Sequence, residues 1–240
     1  MNTIETYKYD SWNEFKTQLI KELYKDNPFT RNKFLFRGQV NPEWPLISSF
    51  DRIFDDKRDS EKLLKNFVTE CQNQGIVERC YLEEQNSALA LGQHYGLPTR
   101  LLDWSESPYF AAFFAYTGAI SSNDKQEFVS VWVFNNNQDI WSQDLGVQVI
   151  DVPSLPNIRL RNQYGKFTLL KSPFKSLEEH VEHINYKIDV PLLIKCLVPS
   201  RDIVIALADL DAMGINFIRV YPEIVGLALN ARIKTLYNLD

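Results

Sequence analysis

The side chains able to do chemistry in this chain gather in three short runs. The first is Phe34-Leu35-Phe36-Arg37-Gly38-Gln39, where an arginine stands at the end of an apolar stretch. A guanidinium forks hydrogen bonds onto a phosphate or carboxylate, and a neighbouring glycine lets a ligand approach the backbone closely. The second run extends from Gln93 to Ser105 and holds Gln93, His94, Tyr95, Arg100, Asp103, Trp104 and Ser105. A loop that only turns the chain spends its residues on turn chemistry. This one adds amide, imidazole, guanidinium, carboxylate and indole, the make-up of a polar cleft. The third run, Arg161 to Thr168, carries Gln163 as an amide beside a strand. A structural role is open to each of these residues too. Arg37 can serve in a salt bridge, His94 in the core, Arg100 and Asp103 as a pair, Ser105 as a helper of Ser107 in capping a helix, and Gln163 in a turn.

Other chemistries find little support. His180 and His183 stand at i and i+3 in Leu177-Glu178-Glu179-His180-Val181-Glu182-His183, without an HExxH spacing or cysteine partners. A charged helix face is the better reading, and no metal site is expected. The sequence has no phosphate-binding GxxxxGK loop, no GxGxxG fingerprint and no GxSxG elbow. The commonest nucleotide-triphosphate, dinucleotide-fold and α/β-hydrolase readings therefore fall away. A net charge of −5 argues against a globally basic nucleic-acid coat, and nucleic acid is neither required nor excluded as a partner. Cys71, Cys80 and Cys196 are odd in number and lack CxxC spacing, so reduced thiols are expected. The N-terminus shows no leader pattern and no stretch has the roughly 18 apolar residues of a membrane span. A cytoplasmic protein without a membrane partner is the expectation.

The elements that must position these runs follow from patterning. Asp10 or Ser11 caps a helix with Trp12, Phe15, Leu19 and Leu23 on one face, ending at Asn27-Pro28. Residues 33–39 read as a short strand, placing Arg37 at a strand end. Residues 59–91 read as helical with an interruption at Gly75, and Ser107-Pro108 starts a helix apolar on nearly every side. The run FVSVWVF, from Phe128 to Phe134, reads as a central strand, and further strands are expected within 158–170, at 192–198 and at 215–220. Ser200 opens a helix that Gly214 closes, and a last helix begins near Pro222. Residues 135–156 read as a linker. The fold class is α+β in one domain over 1–240, with a helical part at about 1–92 and a sheet-rich part at about 93–240.

Four segments together resemble the FRG domain family: FLFRGQ at 34–39, QHYGLPTRLLDWSESPYFAAFFAY at 93–116, RNQYGKFTL at 161–169 and VYPEIVGLA at 220–228. A second resemblance is to ADP-ribosyltransferases of the Arg-Ser-Glu type. In those enzymes an aromatic-Arg-Gly strand end binds NAD, a serine-bearing strand runs into a helix, and a later glutamate contacts the nicotinamide ribose. Phe36-Arg37-Gly38 resembles the first element, and Leu101-Leu102-Asp103-Trp104-Ser105 the second. The third falls near Gln163, a glutamine in place of glutamate, with Glu223 as another carboxylate. This resemblance implies a mixed, mostly antiparallel sheet in an ADP-ribosyltransferase-like arrangement, with NAD as substrate. It assigns catalytic roles to Arg37, His94, Ser105 and Gln163, and NAD contacts to Arg37, Gly38, Gln93, Tyr95, Arg100 and Trp104. It further implies a toxin or phage-defence effector with a nucleic-acid or protein acceptor and a neutralising antitoxin partner. The other function left open is a non-catalytic nucleotide or nucleic-acid binding module.

Overall fold

The computed structural model describes residues 3–25, 33–75, 77–136, 138–141, 146–152, 165–184, 190–221 and 224–237. Gln163 and Glu223, like Arg161 and Asn162, lie outside the described residues. Among the described residues the strands are β1 (Ile4–Lys8), β2 (Phe34–Gln39), β3 (Leu101–Ser105), β4 (Phe128–Asn135), β5 (Val147–Ile150), β6 (Gly165–Leu170) and β7 (Leu193–Pro199). They form one sheet in the order β1-β7-β4-β2-β3-β6-β5. All neighbours are antiparallel except β1 and β7, which run parallel from Ile4↔Leu193 to Lys8↔Leu197. The chain is thus α+β with a mixed, mostly antiparallel sheet, and strands β1 and β2 from its first ninety residues enter that sheet. Between them lies α1 (Trp12–Leu23), capped by the Ser11 hydroxyl, which accepts from the Glu14 amide at 3.1 Å.

The period-two pattern of β4 explains why it sits centrally. Val129, Val131 and Val133 join one core with Phe34 and Phe36, while Trp132 and Phe134 join the core of the opposite face with Leu35 and Leu193. Both faces are covered, so the strand is apolar almost throughout. After α2 (Asp59–Gln74), α3 (Cys80–Glu83) and α4 (Gln85–His94), the helix α5 (Pro108–Ser121) covers the first face, buried through Phe110, Ala111, Ala112, Phe113, Ala115 and Tyr116. Its all-round apolarity follows from packing between β2, β4 and a second layer made by α1 and a later helix, Ile203–Ala212. The Trp12 indole donates to Asp209 of that helix at 2.8 Å, and the same carboxylate takes Lys16. These bonds, led by Lys16, hold Asp209 below its ordinary value of 3.8. A lowered carboxylate pKa contributes stability that is present above the unfolded value and lost as pH falls through the folded one. Asp209→Asn should therefore lower the melting temperature at pH 7 and flatten its decline as pH falls below about 4. An unchanged acid profile in the variant, followed by circular dichroism, would contradict this.

Three expectations need correction. Ile215–Val220 is not a strand: Phe217–Val220 is a short helix, because the Asn216 side chain accepts from the Arg219 amide at 3.0 Å and starts a turn before the apolar run can extend. Residues 135–156 are not only a linker, since β5 lies among them and adds an edge strand beside β6. The helix Leu177–Glu182, with His183 at its C-cap, is not a charged face throughout. His180 is buried, in the place where a Cβ on Gly146 would stand at 2.2 Å, whereas His183 stacks on Phe174. Among the described residues no group of three His, Cys, Asp or Glu stands together to hold a metal. No described helix is long and apolar enough to cross a membrane.

Candidate functional site

The FRG tripeptide divides its work by position. Phe36 is fully buried in the core under α5. Gly38, two residues on and hence on the same face, lies where α5 crosses the strand. A Cβ there would stand 1.9 Å from the Ala111 carbonyl oxygen and 2.9 Å from the Ala115 nitrogen. The glycine is required by helix-on-strand packing, and its backbone also borders a cavity. Arg37, between them, points to the other face.

That cavity arises because β2 and β3 share a single register pair, Phe36↔Ser105, whereas β2 pairs with β4 over its whole length. Beyond the pair the two strands part. A cavity of about 300 Å³ fills the gap, lined by Phe36, Arg37 and Gly38 of β2, Asp103, Trp104 and Ser105 of β3, Ala111 and Phe114 of α5, and Gly165, Lys166 and Phe167 of β6. Arg37 spans the gap. Its Nη1 donates to the Asp103 carbonyl at 2.8 Å and stands 3.6 Å from the Asp103 carboxylate. Gln93, on the helix Gln85–His94, donates to the other carboxylate oxygen at 2.6 Å and accepts from the Thr99 hydroxyl. The chain Thr99, Gln93, Asp103, Arg37 fixes the guanidinium without enclosing the carboxylate, whose side chain is 61% exposed. Burial lowers the pKa of Arg37, Asp103 opposes that shift and the charge of Arg52 adds to it. An arginine stays protonated regardless. Its Nε is buried without a hydrogen-bond partner.

Arg37 and Asp103 also border a second cavity, of about 360 Å³, with Ser49, Arg52, Gln93 and the Gly96-Leu97-Pro98 turn on its walls. The two residues form a partition between the cavities.

Of the residues singled out from the sequence, Arg37, Gly38, Trp104 and Ser105 meet in the first cavity, and Gln93 meets Arg37 in the second. Ser105 is 4% exposed and its hydroxyl accepts from the Ser107 amide at 3.1 Å, shaping the turn into α5. Trp104 is a wall, with its indole donating to the Thr168 hydroxyl at 2.8 Å and its ring against Phe134. Trp104→Phe leaves that buried hydroxyl without its donor, and a loss of about 1–3 kcal/mol in urea denaturation is expected. His94 and Tyr95 line neither cavity; their rings meet edge to face at the end of their helix, with Tyr95 exposed. Arg100 turns away as well, donating to the Leu170 carbonyl and standing 3.6 Å from buried Asp51. It pins the 48–54 turn to β6 and is absent from both linings.

Among the lining residues that sequence reading missed are Lys166, Phe114 and Arg52. Lys166 sits inside the quoted 161–168 run and becomes visible only through its register pairing with Trp104. It pairs with Asp151 and with Glu106 at 3.5 Å. Phe114 reads as one more apolar residue of a core helix. Arg52 lies in a surface turn with no pattern to mark it.

Residues 32–124 match the family model described as FRG domain, a span that includes β2, β3, α5 and both sides of the parting between the strands. No curated protein and no solved structure matches the chain.

Proposed function

This chain carries an FRG domain over residues 32–124, and from that premise we propose that it is an NAD-using enzyme of the ADP-ribosyltransferase type. The observation that carries this reading is the convergence of Arg37, Gly38 and Ser105 on one cavity walled by Phe36, Trp104, Phe114 and Phe167. Aromatic and apolar walls suit a flat heteroaromatic ring, and a fixed guanidinium suits phosphate or ribose oxygens. Breaking the N-glycosidic bond of NAD sends the bonding pair out with nicotinamide and leaves an oxocarbenium-like C1′ for an acceptor oxygen or nitrogen, or water, to attack. The attacking group then loses its proton. Holding diphosphate and nicotinamide in place lowers that barrier by positioning. On this reading the acceptor is nucleic acid or protein, and the setting is a cytoplasmic toxin or phage-defence effector with a neutralising partner.

One observation favours a second reading, a non-catalytic nucleotide-binding module. Among the described residues that line the first cavity, Asp103 is the one carboxylate, and Arg37 and Gln93 already engage it. Incubation with NAD labelled in the nicotinamide separates the readings. Release of labelled nicotinamide supports the enzyme; saturable binding without release supports the module; neither in a folded preparation sinks both.

A further inference from the structure

Resting on the dinucleotide reading above, we propose that the second cavity is a phosphoryl-group subsite built by Arg37 and Arg52, so that the protein's ligand is a diphosphate-bridged dinucleotide lying across both cavities. The two cavities differ in kind. The first is framed by aromatic rings, whereas the second has no aromatic side chain on its walls and carries two guanidinium groups against one carboxylate, Asp103. That imbalance is not cancelled from nearby. Asp51 is buried against Arg100 and the Ser48 hydroxyl, Asp55 is taken by Lys175 at 2.8 Å, and Asp56 by Arg58 at 2.6 Å. Each acid of the turn that presents Arg52 is therefore committed elsewhere, leaving one positive charge in excess on the cavity wall.

Arg52 is also held in place before any ligand arrives. Its amide donates to the Ser48 carbonyl at 3.2 Å and its Nη1 to the Ile47 carbonyl at 2.8 Å, while the Phe50 amide ties the turn to Thr99 at 3.1 Å. Arg37 shares that wall and stands near enough for the charge of Arg52 to add to the lowering of its pKa by burial. An oxyanion between the two guanidiniums removes that repulsion and takes charge-assisted hydrogen bonds from both. Size points the same way. Each cavity is at the small end of ligand pockets, which run from about 300 to 1,000 Å³. A ring-bearing half fills the first, and the phosphates need the second.

The test uses inorganic pyrophosphate, NAD and the variants Arg52→Gln and Arg52→Lys. Arg52 is exposed, so both variants are expected to fold. In calorimetric titration pyrophosphate should bind the wild-type chain saturably, at least about tenfold more weakly to Arg52→Gln, and with intermediate strength to Arg52→Lys. Absence of pyrophosphate binding, or equal binding by wild type and Arg52→Gln, overturns the subsite. The two proposals fail separately. A chain that binds pyrophosphate through Arg52 but neither binds nor cleaves NAD keeps the oxyanion subsite and loses the enzymatic reading. A chain that cleaves NAD with the same KM in Arg52→Gln loses the subsite and keeps the enzyme.

Discussion

Gly38→Ala is expected to destabilise the protein by about 3 kcal/mol or more, the upper end of what overpacking costs. The new methyl group would stand 1.9 Å from the Ala111 carbonyl oxygen and 2.9 Å from both the Ala111 carbonyl carbon and the Ala115 nitrogen. These are helix backbone atoms, so no rotamer change relieves the clash. Either α5 lifts from β2, opening the core around Phe36 and Phe113, or the strand buckles. A contrast sharpens the point. Gly96 has φ near +90° with open space around its Cβ position, so Gly96→Ala should cost only the backbone strain of a left-handed residue, about 1–2 kcal/mol. Urea denaturation of the two variants side by side decides it, and equal losses would mean that α5 does not need the glycine.

Arg37→Ala should leave the fold nearly intact and remove function. The Arg37–Asp103 ion pair is 3.6 Å long with an exposed carboxylate, and such pairs contribute little to stability. Asp103 keeps its bond from Gln93 when the guanidinium is gone. A loss of about 1 kcal/mol or less is therefore expected. Nicotinamide release should fall by about a hundredfold or more, the cost of removing one fixed donor from a developing charge or phosphate. Arg37→Lys should recover little, since an ammonium cannot reach the Asp103 carbonyl and a ligand oxygen in the same forked geometry. A folded Arg37→Ala that releases nicotinamide at the wild-type rate would remove Arg37 from the site.

Much of the architecture is legible in the residues. The Ser11 cap, the buried helix after Pro108, the alternating FVSVWVF strand and the left-handed Gly75 at a helix end all rest on local stereochemistry. Where local signals compete, reading stops short. The apolar residues 215–220 suit a strand, but Asn216 sits one residue ahead as a cap and the short run becomes a helical turn. β1 and β5 are edge strands with mixed polarity, and they exist because β7 and β6 offer them hydrogen bonds. The site divides along the same line. Arg37, Gln93 and Ser105 stand in dense motifs and can be found by composition. Lys166 and Arg52 belong to the cavities through register and turn geometry, which no spacing along the chain reveals.

The parallel pairing of β1 with β7 has a consequence for how the protein is made. The sheet's first strand leaves the ribosome with its partner still unsynthesised, and β4, the central strand, likewise waits for β7 on one side. Because such distant pairings must close large loops before they gain contacts, folding is expected to be slow and to finish only after residue 199 emerges. Until then, an incomplete chain exposes the unpaired strand edges and apolar faces that chaperones engage.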